Sequence, residues 1–157
     1  MKSISSIRTS LSNMGLEVPT AAKPVAAYVP AIRTGNLIFT SGQLPLVDGE
    51  MVATGKVGQE IDVDQARLLA EICALNCLAA LETLVPIERI IRIVKVVGYV
   101  NCATGFTSQP TVINGASELF LKLWGDSGKH ARSALGVAEL PLNSPVELEL
   151  LAEITSH

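Results

Sequence analysis

Charge is scarce in this 157-residue chain: Asp, Glu, Lys and Arg together make up 17%, against 48% hydrophobic residues. A small domain with so little charge tends to hide surface in an oligomer interface. Aromatic residues reach only 4%, so the core has to be built from Leu, Val, Ile and Ala. There is no basic run and the formal net charge is -3, which argues against nucleic-acid binding, since that needs several Lys or Arg. No apolar stretch approaches the roughly 20 residues of a membrane span. Histidine occurs only as His130 and His157, so a two-His metal site is not expected. Cys73, Cys77 and Cys102 are an odd number without metal-ligand spacing. They read as small core hydrophobes in a reduced, cytoplasmic setting. HExxH, GxSxG, the P-loop, GxGxxG and CxxC are all absent. Any chemistry therefore runs on Arg, Glu, Tyr, backbone amides and water.

What is present reads as one domain over 1–157, with no repeat or linker. Ile4, Ile7, Leu11 and Met14 recur at helical spacing and Gly15 follows, which predicts a short N-terminal helix. Residues 1–14 hold too many serines for a signal-peptide core. Val25 to Arg33 reads as an edge strand, because Pro30 cannot serve a central ladder. Leu37 to Gln43 reads as a buried strand, and Val47 to Glu50 as a turn. Asp62 suits an N-cap, and the apolar set from Ala66 to Leu84 predicts a helix stopped by Pro86. Ile90 to Val100 is β-branched and nearly continuous, a central strand. A polar loop over 101–108 leads to a second helix over 109–124, with Pro110 in its first turn. Strands near 131–138 and 146–154 close the chain. The order β-β-α-β-α-β-β predicts an α+β fold, with two helices on one face of a mixed sheet.

Arg132 is the most informative candidate residue. It is a permanent cation in His130-Ala131-Arg132-Ser133-Ala134-Leu135-Gly136-Val137, able to hold a carboxylate bidentately. The residues alone leave substrate clamp and structural ion pair equally open. Glu147, Glu149 and Glu153 share one alternating face of the last strand, where carboxylates are usually just solvated. Tyr28, beside Pro30 in an irregular strand, is more often a packing residue with its hydroxyl wet. Gly42, in Ser41-Gly42-Gln43, marks either a backbone approach to a ligand or a bulge. Asn114 is either exposed or a specific hydrogen-bonding group.

Gly35-Asn36-Leu37-Ile38-Phe39-Thr40-Ser41-Gly42-Gln43-Leu44-Pro45 resembles a motif of the YjgF family, the reactive intermediate deaminases. Ala131-Arg132-Ser133, then Val137-Ala138 and Leu140-Pro141, then Val146-Glu147-Leu148-Glu149, resemble that family's C-terminal signature. The resemblance covers roughly residues 25–154, with 1–20 as an N-terminal extension. It implies a chorismate-mutase-like fold and a homotrimer with ligand clefts between subunits. It also implies hydrolysis of 2-imino acids or their enamine tautomers to 2-keto acids and ammonia, without cofactor or metal. Arg132 then corresponds to the arginine that clamps the substrate carboxylate, and Glu147 to the carboxylate that positions water. Tyr28, Ser41, Gly42 and Asn114 match pocket positions. Ala134 departs from the pattern, because a Cys commonly stands two residues after the arginine, and this changes the shape of the pocket. One rival reading is a non-catalytic trimer that binds a keto acid. Another is a ribonuclease or translation inhibitor, against which the acidic balance weighs.

Overall fold

The computed structural model describes residues 6–24 and 26–156. The first element, α1, is Ser6–Asn13. Ile7 and Leu11 are buried and Met14 packs beside them; Ile4 lies outside the described residues. Arg8 bridges Glu82 and Glu88, which ties this helix to its own chain.

The expected strand from Val25 is shorter than its sequence suggests. Strand β1 is Ala31–Thr34, and Val25 lies outside the described residues. Pro30 has no N–H to pair, but its carbonyl accepts from the Ser41 amide at 2.8 Å, just ahead of β1. Gly35, at φ +58°, turns the chain into β2, Leu37–Thr40. Beyond Thr40 the ladder breaks, and Gln43 rejoins it by bridging to Leu148. The turn expected at 47–50 is the tip of a small hairpin, β3 (Leu46–Val47) and β4 (Glu50–Met51). Both turn residues, Asp48 and Gly49, have positive φ, as a tight Asp-Gly hairpin turn requires.

Helix α2 is Val63–Glu82, and the Asp62 side chain accepts from the Gln65 amide at 2.8 Å, a cap worth about 1 kcal/mol. Cys73 and Cys77 are fully buried. Desolvation pushes the Cys77 thiol up to about 12, so both behave as core hydrophobes. Helix α3 is Gln109–Trp124 with Pro110 in its first turn. A Cβ on Gly115 would meet the Arg67 carbonyl oxygen at 2.0 Å, so a glycine is what allows the two helices to cross this closely.

The long strands are β5 (Ile90–Asn101), β6 (Ala131–Val137) and β7 (Val146–Ile154). The five-stranded sheet runs β1-β2-β7-β5-β6. The β5/β6 pair is parallel, whereas β1/β2, β2/β7 and β7/β5 are antiparallel. A parallel pair needs a long crossover, which α3 provides. Both helices cover one face, where Ile93, Val96, Leu148 and Leu150 are buried with them. The mixed sheet with two helices on one face is as expected, and the expected short N-terminal helix is present as α1; the β3/β4 hairpin is an addition to the expected order. The other face carries Ile32, Phe39, Tyr99, Glu147, Glu149, Leu151 and Glu153, none of them fully covered.

Asn101 corrects the expected polar loop. It ends β5 with no exposed surface, accepts from Lys56 Nζ at 2.7 Å and donates to the Ser144 carbonyl at 3.1 Å. No helix among the described residues is long and apolar enough to cross a membrane.

Candidate active site

Arg132 stands on β6, which pairs with β5 at the edge of the sheet among the described residues. Its register partner is Val96, which faces the helices, so Arg132 points to the helix side. Asn114 and Ser117, three apart on α3, present one helical face to it. Arg132 Nη1 donates to Asn114 Oδ1 at 2.7 Å and to Ser117 Oγ at 3.2 Å. Among the described residues it has no carboxylate partner, which removes the intrachain ion pair as the reason for its presence. Ser117 Oγ also lies 2.8 Å from His130 Nε2, and His130 Nδ1 lies 2.6 Å from the Gly128 carbonyl. Burial, followed by the charge of Arg132, lowers the imidazole below its ordinary value, although the Gly128 carbonyl opposes this. Arg132, Ser117, His130, Lys129 and Leu121 line an open hollow of about 250 Å³. Ala134, two residues along β6, pairs with Gly98 and packs on the core.

Glu147 belongs to a second group. It sits on β7 opposite Tyr99, on the face away from the helices. A Cβ on Gly42 would fall 2.1 Å from Glu147 Oε1, so the carboxylate lies directly over the Gly42 backbone. Glycine leaves open the space that the acid occupies. Burial, then the neighbouring charge of Glu149, raises the Glu147 carboxyl above its ordinary value. The Tyr99 phenol is raised as well, first by burial, then by Glu149 and Glu147. Ser41 Oγ donates to the Val29 carbonyl at 2.6 Å. Tyr28 is 54% exposed beside that segment.

The candidates named from the sequence therefore fall into two groups. Arg132, Asn114 and Ala134 lie on the helix side at the β6 edge. Tyr28, Ser41, Gly42 and Glu147 gather about β2 and the start of β7. Between β7 and β6 stands β5, a separation of roughly 10 Å at ordinary strand spacing, and the two charges point to opposite faces. One small acid cannot touch both within a single chain. Sequence reasoning passed over Ser117, His130 and Tyr99. Two signals could have found the first two. Ser117 is three residues after Asn114, and His130 is two before Arg132, the spacing that shares a side of an extended chain. A larger hollow of about 490 Å³ lies between residues 17–22 and the β3/β4 hairpin, lined by none of these candidates. Among the described residues no group of His, Cys, Asp or Glu is placed to hold a metal ion.

A family model described as "YjgF/chorismate_mutase-like, putative endoribonuclease" matches residues 8–154. The match begins earlier than residue 25 and so takes in most of α1. The chain is 36% identical to protein TCP17 of Trypanosoma cruzi over 96% of this chain and 95% of that one. It is 28% identical to a 2-iminobutanoate/2-iminopropanoate deaminase of Dermatophagoides farinae, over 88% of this chain and 94% of that one. In three dimensions it resembles the crystal structure of Atu1372 from Agrobacterium tumefaciens, a protein of unknown function. That likeness has a TM-score of 0.89 and 40% identity, and covers 97% of this chain and 94% of that one.

Proposed function

The chain belongs to the YjgF/chorismate mutase-like family, and from that premise we propose that it hydrolyses small 2-imino acids, or their enamine tautomers, to 2-keto acids and ammonia. The observation that carries the reading is Arg132. A part-buried guanidinium tied, among the described residues, only to the neutral groups Asn114 and Ser117, at the wall of an open hollow, calls for an anion from outside the chain. The deaminase among the relatives names one suitable anion class, a short 2-imino carboxylate.

The site we propose is composite. The β6 edge of one copy, with Arg132 and Asn114, meets the β2–β7 end of another, with Ser41, Gly42 and Glu147. A homotrimer closed by such heterologous contacts would give three equal sites. It would also cover the apolar residues of the open sheet face, including Ile32 and Phe39. The acidic balance and the carboxylates Glu147, Glu149 and Glu153 on that face disfavour a polyanion such as RNA.

The chemistry asks little of the protein. The iminium carbon of the substrate is already electrophilic. Arg132 holds the carboxylate and supplies orientation. Glu147 takes a proton from water as its oxygen bonds to that carbon, giving a tetrahedral amino alcohol. The proton is then delivered from Glu147 to nitrogen, the C–N bond breaks, and ammonia leaves with both bonding electrons while the hydroxyl gives up its proton to Glu147 and its O–H electrons form the carbonyl. Iminium plus water thus balances keto acid plus ammonium, the last proton passing from Glu147 to the departing ammonia. A carboxyl raised by burial and by Glu149 is a better proton acceptor than an ordinary one once ionised.

The test generates 2-iminobutyrate in situ with an amino-acid oxidase and traps surviving imine with semicarbazide. The parent protein should speed imine loss and Arg132→Ala should not. No acceleration by the parent sinks the reading and moves weight to a binding role.

A further inference from the structure

Two residues that the reaction above does not use, Ser117 and His130, converge on Arg132, and their contacts fix the positions of their protons. A carbonyl oxygen only accepts, so the 2.6 Å contact with Gly128 places a hydrogen on His130 Nδ1. In the neutral imidazole Nε2 is then an acceptor, and the group 2.8 Å away is the Ser117 hydroxyl, which must donate. With its hydrogen committed to His130, Ser117 Oγ offers lone pairs to Arg132 Nη1 at 3.2 Å. Asn114 Oδ1 takes the other hydrogen of the same nitrogen at 2.7 Å. Both Nη1 hydrogens are thereby consumed. The remaining three donors, one on Nε and two on Nη2, have no partner among the described residues. Nε and Nη2 form one edge of the guanidinium with two parallel N–H bonds, the geometry that matches a carboxylate.

We propose that the relay Gly128–His130–Ser117 fixes which edge of Arg132 meets the substrate carboxylate, making Ser117 and His130 positioning residues for substrate binding. This inference rests on the carboxylate-clamp reading of Arg132. The relay is built to be rigid. Ser117 is 8% exposed, and His130 meets Phe120 edge-on, with ring centroids 5.9 Å apart. A Cβ on Gly128 would meet the Phe120 carbonyl oxygen at 2.2 Å, so the turn after α3 is held tightly against the helix.

The relay works in only one protonation state. A charged imidazole donates from both nitrogens, so Ser117 would face N–H donors from His130 and Arg132 at once and lose the acceptor for its own hydrogen. Around the ring the charged groups are Arg132 on β6, Lys129 beside it, and Asp126, which pairs with Lys129 at 2.8 Å. Helix α3 contributes Ser117, Phe120 and Leu121, all uncharged. A second cation next to Arg132 is unfavourable, and burial and Arg132 both hold the imidazole neutral. Carboxylate affinity should therefore hold at neutral pH and fall as pH drops through the His130 titration.

The probe is 2-ketobutyrate, a carboxylate of the product class that stays ionised throughout. Its affinity is measured by calorimetry across pH for the parent, Ser117→Ala, Ser117→Thr and His130→Gln, and NMR follows the Arg132 Nε–H. In the parent the ligand should move the Nε–H signal. Ser117→Ala should weaken binding about ten-fold, the scale of one charge-assisted hydrogen bond, through KM rather than kcat. Ser117→Thr, which keeps the hydroxyl, should restore binding, and His130→Gln should abolish the acid-side loss. Parent-like affinity and pH dependence in Ser117→Ala and His130→Gln overturn the relay, and so does a parent that binds no 2-ketobutyrate. A parent that binds as described but leaves imine loss unaccelerated keeps the relay and removes the deaminase. Imine hydrolysis with parental KM in Ser117→Ala does the reverse.

Discussion

Arg132 and Glu147 carry opposite charges on one sheet and are held in opposite ways. The guanidinium is gripped by the neutral side chains of Asn114 and Ser117 on α3, and a guanidinium is a permanent cation. The carboxylate lies over a glycine with a second acid beside it, and its proton affinity is raised by burial and by that neighbour. One half is geometrically set and electrically constant; the other is electrically adjustable. That division suits a reaction in which one end of the substrate only needs holding and the other exchanges protons.

The largest expected effects come from removing either charge. Arg132→Ala and Glu147→Gln should each lower kcat/KM for imine hydrolysis by about a hundred-fold or more. Mixed and reassembled together, they should regain activity at on the order of a quarter of the sites, if each site takes one residue from each of two copies. No recovery on mixing would place both groups in one chain's site and undo the comparison.

Two glycines sharpen it. A Cβ on Gly98 would meet Ile113 of α3 at 2.3 Å, an overpacking of the helix that carries Asn114 and Ser117. Gly98→Ala should cost about 1–3 kcal/mol, read from urea unfolding. On the other side, Gly42→Ala meets only the mobile end of Glu147, which can swing away. Its expected signature is a kcat about ten-fold lower with Tm nearly unchanged.

The smallest effect is a shift in pH dependence. As the proposed base, Glu147 would act only when ionised, so imine hydrolysis should fall as pH drops through its raised titration. Glu149→Gln removes a neighbouring negative charge, lowers that titration, and should extend activity to more acid pH. Stability has the opposite sign. A carboxyl raised in the fold is favoured when protonated, so its contribution is present at acid pH and lost as pH rises through the folded value. Glu147→Gln should therefore raise Tm at neutral pH, with the gain vanishing at acid pH. A uniform gain at all pH would mean that the charge is not what the fold resists.

Much of the scaffold was legible because its signals are local. Asp62, Pro86 and Pro110 punctuate the helices, and the alternation in Val146–Ile154 sets its two faces. The strand expected over 25–33 was overextended, because β-branched character cannot say where a neighbour stops pairing. Asn101 reads as loop because a buried amide satisfied by Lys56 and Ser144 looks polar in isolation. For the site, Arg132 and Glu147 were both visible, yet their separation was not. Alternation gives parity within a strand, but the relative parity of β6 and β7 depends on both pairing with β5. The Ser117–His130 relay was missed because a small polar residue in an apolar helical stripe carries no signal without its partner.

The β6 edge has a consequence for how the protein is made. Over Ala131–Val137 it contains one charge, which points back to the helices, and it has no Lys, no Glu and no Pro. Sheet edges usually carry such devices to avoid joining the wrong neighbour. In the proposed oligomer, a newly folded copy would have its ladder groups available until another copy covers them. Dilute refolding should favour soluble protein only where correct association outpaces random strand addition, so the yield depends on concentration with an optimum rather than a plateau.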